Sequence, residues 1–217
     1  MERPPGSANP GDVRRMARNH NAQRGGIAAI AAGGLVVVAL IGPTAWAGLW
    51  LALTPAAALL ILATRELHAA WRPRDGRLGT VGARVLATGA GALLSLMVIG
   101  TAATATLGLE PAWLALPVEV AGYAFLAGAA LFGAAAFRAQ TGPRWAAVLF
   151  AASLPLGLVL DAATNLFPFG ELFFFAGFGF YLGLGLFALS LIRLGLAARR
   201  QELGQQQGGR LNPTQPA

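Results

Sequence analysis

Residues 27–64 read IAAIAAGGLVVVALIGPTAWAGLWLALTPAAALLILAT and contain no charged side chain. A helix needs about 20 apolar residues to cross the hydrocarbon core of a bilayer. The stretch is therefore long enough for two spans. Gly42-Pro43 lies in its middle, and a proline inside a helix removes a backbone hydrogen bond and clashes with the preceding turn. These residues predict a helical hairpin with spans at about 27–43 and 45–64.

The composition of the whole chain agrees with membrane insertion. Of its 217 residues, 56% are hydrophobic and only 12% are charged, and the mean hydropathy is +0.60. Soluble domains carry about 25% charged residues, so this chain has too few to cover a water-facing surface. We expect an all-α polytopic membrane protein. Four further apolar segments complete a predicted bundle of six transmembrane helices, at about 83–107, 118–137, 145–166 and 171–194.

The six spans form one predicted transmembrane domain, residues 27–196, between two polar tails. Residues 1–26 are basic and rich in proline, and residues 197–217 are rich in glutamine and glycine. Neither tail has enough apolar residues to bury a core, so both are predicted to be disordered and cytoplasmic.

The arginine positions predict the orientation. All 16 basic residues are arginine, and positively charged loops stay on the cytoplasmic side of a membrane. Six spans place every arginine on one side, whereas a single span over 27–64 would force a group of them outside. We therefore expect both termini in the cytoplasm and location in the plasma membrane. The internal segments would hold Arg3, Arg14, Arg15, Arg18 and Arg24, then Arg65, Arg72, Arg74, Arg77 and Arg84, then Arg138 and Arg144, and finally Arg193, Arg199, Arg200 and Arg210.

A cleaved signal peptide is the alternative for the first span. Ala45-Trp46-Ala47 resembles a cleavage site after a basic and apolar region. However, the apolar sequence continues directly into the next span. Cleavage would leave five spans with the same remaining topology.

The expected partners follow from the membrane location. The net charge of +7 would suggest nucleic acid for a soluble protein, but here it is explained by arginines at the membrane edge, and no nucleic-acid partner is expected. These arginines are expected to contact anionic lipid headgroups. A membrane-protein partner or a second copy of the chain is also possible. The predicted headgroup contacts are Arg14, Arg15, Arg18, Arg72, Arg74 and Arg77.

Small residues one helical turn apart predict where helices pack closely, because lipid gives no hydrophobic drive for association. The pairs are Gly91 with Ser95, Ala129 with Gly133, and Gly179 with Gly183. The second and fifth spans also match at an offset of 100 residues, with Pro55 and Pro155 in equivalent positions. That match raises the possibility of an inverted repeat, a transporter design.

Asp161 is the candidate functional residue. At 1.5 Å per residue it lies roughly 8 Å beyond the midpoint of the fifth span, inside the hydrocarbon. A charged aspartate at the bilayer centre costs on the order of 2.5–3.5 kcal/mol, so Asp161 is expected to face the bundle or a water-filled cavity. Asn165 lies on the same helix face. Asp161 is interpreted either as a proton- or cation-binding carboxylate or as a hydrogen-bonded residue that joins helices.

Further acidic residues fall on the same predicted side as Asp161. Glu119 and Glu171 extend the candidate polar site, and Glu110 adds a fourth carboxylate. A metal site built from all four is one interpretation. In the other, Glu119 and Glu171 occupy first-turn positions that the helix dipole favours. Threonine oxygens at 101, 104 and 106 could join such a site or bond their own backbone.

Catalytic motifs are missing from the sequence. The chain has no cysteine and only two histidines, which lie outside the predicted spans. No haem-binding histidine pair, zinc-protease motif or phosphate-binding loop is present, and no cofactor or enzymatic activity is expected. The sequence predicts an accessory or scaffold protein that acts through helix contacts. The alternative is a small transporter or an ion or proton pathway centred on Asp161.

Overall fold

Five continuous stretches of helix make up the fold. A computed structural model describes residues 10–41, 46–107, 114–140, 142–166 and 178–210. These residues form helices and no β-strand, which confirms the predicted all-α class. The helices are α1 (Pro10–Ile41), α2 (Trp46–Leu107), α3 (Ala115–Ala139), α4 (Arg144–Leu166) and α5 (Phe178–Arg210).

The apolar stretch 27–64 forms two helices, as predicted. α1 ends at Ile41 and α2 begins at Trp46; the predicted break at Gly42-Pro43 lies outside the described residues. The two helices form an antiparallel hairpin. A Cβ atom at Gly25 would lie 2.9 Å from the backbone nitrogen of Leu67, and towards the other end Val36 packs with Ala56.

A sharp bend divides α2 into two helices, which brings the total to six. Gly76 has φ 60° and ψ −150°, a conformation that essentially only glycine adopts without strain. We name the two arms α2a (46–75) and α2b (77–107). The arms fold back on each other, since a Cβ at Gly91 would lie 3.9 Å from Cδ1 of Ile61. The turn between the two arms therefore contains a single non-helical residue.

The six helices form a closed ring in the order α1, α2a, α2b, α3, α4, α5, in which the last helix contacts the first. Neighbours run antiparallel. A Cβ at Gly82 would lie 2.6 Å from the nitrogen of Phe132, and one at Gly89 would lie 2.5 Å from that of Phe125. Close backbone approach at small residues therefore holds the ring together, as expected in a lipid environment.

This arrangement gathers the arginines at one end of the bundle. The start of α1, the Gly76 bend, the connection between α3 and α4, and the end of α5 all lie there, because neighbouring helices alternate in direction. We call it the arginine end. Every arginine whose side chain is described is exposed, and all belong to this end: Arg18, Arg24, Arg65, Arg72, Arg74, Arg77, Arg84, Arg138, Arg144, Arg193, Arg199 and Arg200.

Four of the helices are long and apolar enough to cross a membrane within the described part of the chain. A further apolar segment, Arg144–Leu160 in α4, is shorter and is not one of the four. The finding supports membrane insertion. The four segments are Met16–Ile41, Gly76–Ala103, Leu116–Ala139 and Leu182–Arg200.

Both terminal helices extend beyond the predicted spans. α1 begins at Pro10, within the predicted tail 1–26, and α5 continues to Arg210, within the tail 197–217. Pro10 is the first residue of α1, a position that suits proline because its missing N–H would have no partner there. The proposed domain boundaries at 26 and 197 stay predictions.

The contacts between helices do not follow the offset of 100 residues that relates the second and fifth spans. Gly26 lies against Gly195 where α1 meets α5. If the two halves of the protein were repeats at this offset, positions 126 and 95 would lie beside each other in the same way. Instead, Phe125 packs against Gly89 between α3 and α2b. The predicted inverted repeat is therefore not supported at this pair of interfaces.

Candidate functional site

A cavity of about 430 Å³ lies inside the ring. Ligand sites typically have volumes of about 300–1,000 Å³, so the cavity is large enough to hold a small molecule or part of a larger one. All six helices contribute to its wall. The lining residues are Ala32 and Val36 of α1; Leu53, Ala56, Ala57 and Leu60 of α2a; Ala90, Leu93 and Met97 of α2b; Val118, Gly122, Tyr123, Phe125 and Leu126 of α3; Leu154 and Leu158 of α4; and Leu184, Phe187 and Leu191 of α5.

The lining is almost entirely apolar. Among the described residues that line the cavity, only Tyr123 has a polar group on its side chain. A water molecule inside a protein needs two to four polar partners, and an unpaired polar group in an apolar site costs free energy. The described part of the wall therefore favours an apolar molecule over water, an ion or a sugar.

Aromatic rings form the cavity's boundary on the side of the arginine end. Phe125 and Phe187 line the cavity, and their ring centroids are 5.7 Å apart in an edge-to-face arrangement. Phe187 contacts Phe150 at 4.7 Å. The contacts continue through Phe132, 6.0 Å from Phe150, to Trp71, 5.9 Å from Phe132.

This aromatic chain joins helices that are distant in sequence. Its members come from α2a, α3, α4 and α5, and four of the five residues are buried. Edge-to-face and offset aromatic pairs add about 0.5–1.5 kcal/mol each beyond their burial. The aromatic chain therefore stabilises the arginine half of the bundle and lies between the cavity and the arginine end.

The predicted polar site is only partly within the described structure. Asp161 and Asn165 belong to α4 and Glu119 belongs to α3, but their side chains are outside the described part. Glu171 and Glu110 lie outside it altogether. The roles assigned to these residues stay predictions.

Helical periodicity relates those backbone positions to the cavity. Positions 161 and 165 continue the helical spacing of the lining residues Leu154 and Leu158 along the backbone of α4. Position 119 precedes Gly122 by three residues and Leu126 by seven on α3, which gives it the same relation to the cavity wall. The acidic positions are thus in register with the cavity, towards the end opposite the arginines.

Two threonines considered as oxygen ligands bond their own helix. Thr101 donates its hydroxyl to the carbonyl of Met97 at 2.8 Å, and Thr106 donates to that of Ala102 at 2.7 Å. Within the described residues, no three histidine, cysteine, aspartate or glutamate side chains are grouped closely enough to hold a metal ion. Thr101 and Thr106 therefore bond their own backbone, which was the second interpretation of these residues.

Two of the predicted small-residue pairs contain close helix contacts. A Cβ at Gly133 would lie 2.8 Å from Cβ of Ala151, and one at Gly183 would lie 2.8 Å from the carbonyl oxygen of Ser153. The guanidinium carbon of Arg193 lies 5.6 Å from the ring centroid of Trp145. That cation–π contact links α4 and α5 at the arginine end.

The cavity itself was not predicted from the sequence. Phe125 and Phe132 are seven residues apart on α3, a spacing that places them on one helix face and gives the only local sign of the aromatic chain. Which residues surround the cavity depends on how six helices meet, and no short motif encodes that.

Comparison with known proteins gives no relative for this arrangement: no family model, curated protein sequence or solved structure matches the chain.

Proposed function

We propose that the chain is a non-catalytic, multi-pass membrane protein that binds an apolar molecule in the cavity at the centre of its helix bundle. The observation that supports this proposal is the cavity itself, with one polar side-chain group among the described residues that line it. The proposal gives a specific form to the accessory role expected from the sequence, because the protein would bind its ligand without transforming it.

The proposed orientation places the arginine end in the cytoplasm and all six helices across the plasma membrane. Segregation of the exposed arginines at one end supports it, since positive charge is retained on the cytoplasmic side. The same arginines would contact anionic lipid headgroups, with Arg18, Arg72, Arg74 and Arg77 as the described members of the predicted set.

Two adjacent alanines allow a direct test of binding. Ala57 lines the cavity, whereas Ala58 is exposed on the outside of α2a. The purified protein is mixed with dodecylbenzene as an apolar probe, and native mass spectrometry counts the bound molecules. Ala57→Phe should reduce binding at least about tenfold because the new ring occupies the cavity, equivalent to about 1.4 kcal/mol. Ala58→Phe should bind as the unmodified protein does.

Two outcomes would contradict the binding proposal. The unmodified protein could fail to retain dodecylbenzene, or the two variants could lose binding equally. Thermal unfolding of both variants provides the folding control. A scaffold role through contacts with a partner protein or a second copy would then explain the bundle better.

A transport pathway centred on Asp161 is the second candidate. It is favoured by the register of positions 161, 165 and 119 with the cavity wall, since intramembrane carboxylates often mark proton and ion pathways. In proteoliposomes with a pH gradient, Asp161→Asn should abolish proton flux while the protein still accumulates in the membrane. Asp75→Asn, at the arginine end, is the matched control and should retain flux. The pathway would be ruled out if the unmodified protein shows no measurable proton flux and Asp161→Asn only lowers stability.

A further inference from the structure

The residues that line the cavity differ in how much of their surface is exposed on the outside of the bundle. Among the described lining residues, only Val118, Tyr123 and Leu158 are exposed, at 40%, 58% and 40% of their surface. All three belong to α3 and α4. The other four helices contribute buried or half-buried residues. The cavity is therefore least enclosed where α3 and α4 meet.

Among their described glycines, α3 and α4 show close backbone contact towards the arginine end. There Gly133 allows backbone contact, since its Cβ would lie 2.8 Å from the backbone nitrogen of Ala151 and 2.9 Å from the carbonyl oxygen of Ala147. Nearer the other end of α3, a Cβ at Gly122 would meet no atom within 4 Å. The interface thus separates towards the end opposite the arginines. We call the gap bordered by Val118, Gly122, Tyr123 and Leu158 the side opening.

The surface around the side opening is apolar. Val159, next to Leu158 on α4, is exposed, and Leu116 and Val120, on the side of α3 that meets α2b, are exposed as well. In a membrane such residues face lipid tails. The side opening therefore connects the cavity with the hydrocarbon of the bilayer, where lipid chains are the abundant apolar molecules.

The size of the cavity restricts what can occupy it. Lining residues extend over about two helical turns, from Val118 to Leu126 on α3 and from Leu184 to Leu191 on α5, a height on the order of 12 Å. A volume of about 430 Å³ then corresponds to an average cross-section on the order of 40 Å² at that height. A helix with its side chains is about 10–12 Å in diameter and has a cross-section on the order of 100 Å². A hydrocarbon chain is narrower than a helix and is the better match to this cross-section.

We infer that the ligand is an acyl chain of a bilayer phospholipid, which enters the cavity sideways between α3 and α4. The inference rests on the proposed function, because it names the apolar molecule that is bound and its route. The apolar wall accommodates the chain, and the side opening allows the polar headgroup to remain outside the bundle. No polar group of the lipid then has to be buried.

Photolabelling in liposomes tests the identity of the ligand. The protein is reconstituted into phosphatidylcholine liposomes containing a phosphatidylcholine with a diazirine in one acyl chain. Lipid-facing residues will be labelled in any membrane protein, so the informative sites are Leu60 and Leu154, which line the cavity and are buried. Label at these two residues is the expected result.

A reversible cross-link tests the route. The chain has no cysteine, so Val118→Cys combined with Leu158→Cys gives a unique pair across the side opening. A bis-maleimide linker with an internal disulfide is attached before reconstitution. Closing the opening should reduce label at Leu60 and Leu154 at least about tenfold, as expected for a gated site, and reduction of the linker should restore it.

Two controls separate the route from general effects of modification. The same cysteine pair capped with N-ethylmaleimide leaves the helices unlinked and should label normally. A second linked pair, Leu40→Cys with Gly185→Cys, joins α1 to α5, where these residues already lie next to each other, and should also label normally.

The outcomes distinguish this inference from the proposed function. Dodecylbenzene binding without lipid label at Leu60 and Leu154 would overturn the acyl-chain ligand but leave an apolar binding site. Labelling that persists when the side opening is linked would overturn the lateral route. Loss of both dodecylbenzene binding and lipid labelling in the unmodified protein would overturn the two proposals together.

Discussion

Gly26 and Gly195 bring the first and last helices of the ring into backbone contact: a Cβ at Gly26 would lie 2.8 Å from the carbonyl oxygen of Gly195. This contact closes the bundle. Alanine at position 26 forces the helices apart, and overpacking of this kind costs about 1–3 kcal/mol. We expect Gly26→Ala to lower the free energy of unfolding by that amount, measured by SDS titration in mixed micelles.

Gly34 provides the control on the same helix, since a Cβ there would meet no atom within 4 Å. Gly34→Ala should be neutral or stabilising because alanine favours the helix. Equal destabilisation by the two substitutions would show that close packing between α1 and α5 is not what holds them together.

The bend at Gly76 makes a separate prediction about the backbone. A Cβ at Gly76 would meet no atom within 4 Å, so Gly76→Ala introduces no steric contact with another element. It does force alanine into φ 60° and ψ −150°, which costs about 1–3 kcal/mol. Thermal unfolding in detergent should show a lower Tm. A Tm equal to that of the unmodified protein would mean that the turn between α2a and α2b has another conformation.

Phe150 lies in the middle of the aromatic chain. Phe150→Ala removes its contacts with Phe132 and Phe187 and should cost about 3 kcal/mol, near the low end of the soluble range because lipid is itself apolar. Phe137→Ala is the matched control, since Phe137 is 42% exposed, and should change the unfolding free energy by less than about 0.5 kcal/mol. Both unfolding free energies are measured by SDS titration. Similar effects of the two substitutions would show that the aromatic contacts of Phe150 do not stabilise the bundle.

Ser153 gives a prediction of opposite sign. Its hydroxyl is buried and has no hydrogen-bond partner among the described residues, so it contributes a desolvation cost without a compensating bond. Ser153→Ala should leave stability unchanged or raise it by up to about 1 kcal/mol. Ser190→Ala, which removes a 2.7 Å hydrogen bond to the carbonyl of Phe187, should lower it by about 1 kcal/mol. A loss on Ser153→Ala as large as that on Ser190→Ala would show that Ser153 has a partner.

The sequence predicted the helical class because its signals are local. Apolar runs of membrane-spanning length, together with Gly42-Pro43, predicted where α1 ends and α2 begins. A connection between the predicted spans 45–64 and 83–107 was also expected. That it contains a single non-helical residue was not predicted, since this depends on α2a and α2b packing directly together.

The sequence could not predict the cavity, because its wall combines single residues from six helices whose rotation and register are set by distant contacts. Gly82, Gly89 and Gly128 illustrate the difficulty. Each allows backbone contact between α2b and α3, yet none belongs to the small-residue pairs that were singled out. In a chain with 29 glycines, spacing alone does not separate contact glycines from others.

Asp161 was conspicuous in the sequence because a carboxylate inside hydrocarbon is costly. Its position continues the helical spacing of the lining residues Leu154 and Leu158 along the backbone of α4. That relationship connects the residue chosen from the sequence with the site found in the structure. Its protonation and its partners stay predictions.

The central claim is that six helices cross the bilayer with the arginine end in the cytoplasm, because the cavity can receive a lipid chain only from inside the hydrocarbon. Reporter fusions that are active on one side of the membrane measure this directly. Fusions after residues 78 and 140 should both report the cytoplasmic side, and fusions near residues 110 and 169 should both report the outside. A reversed sign at any one of the four positions would contradict the six-span arrangement.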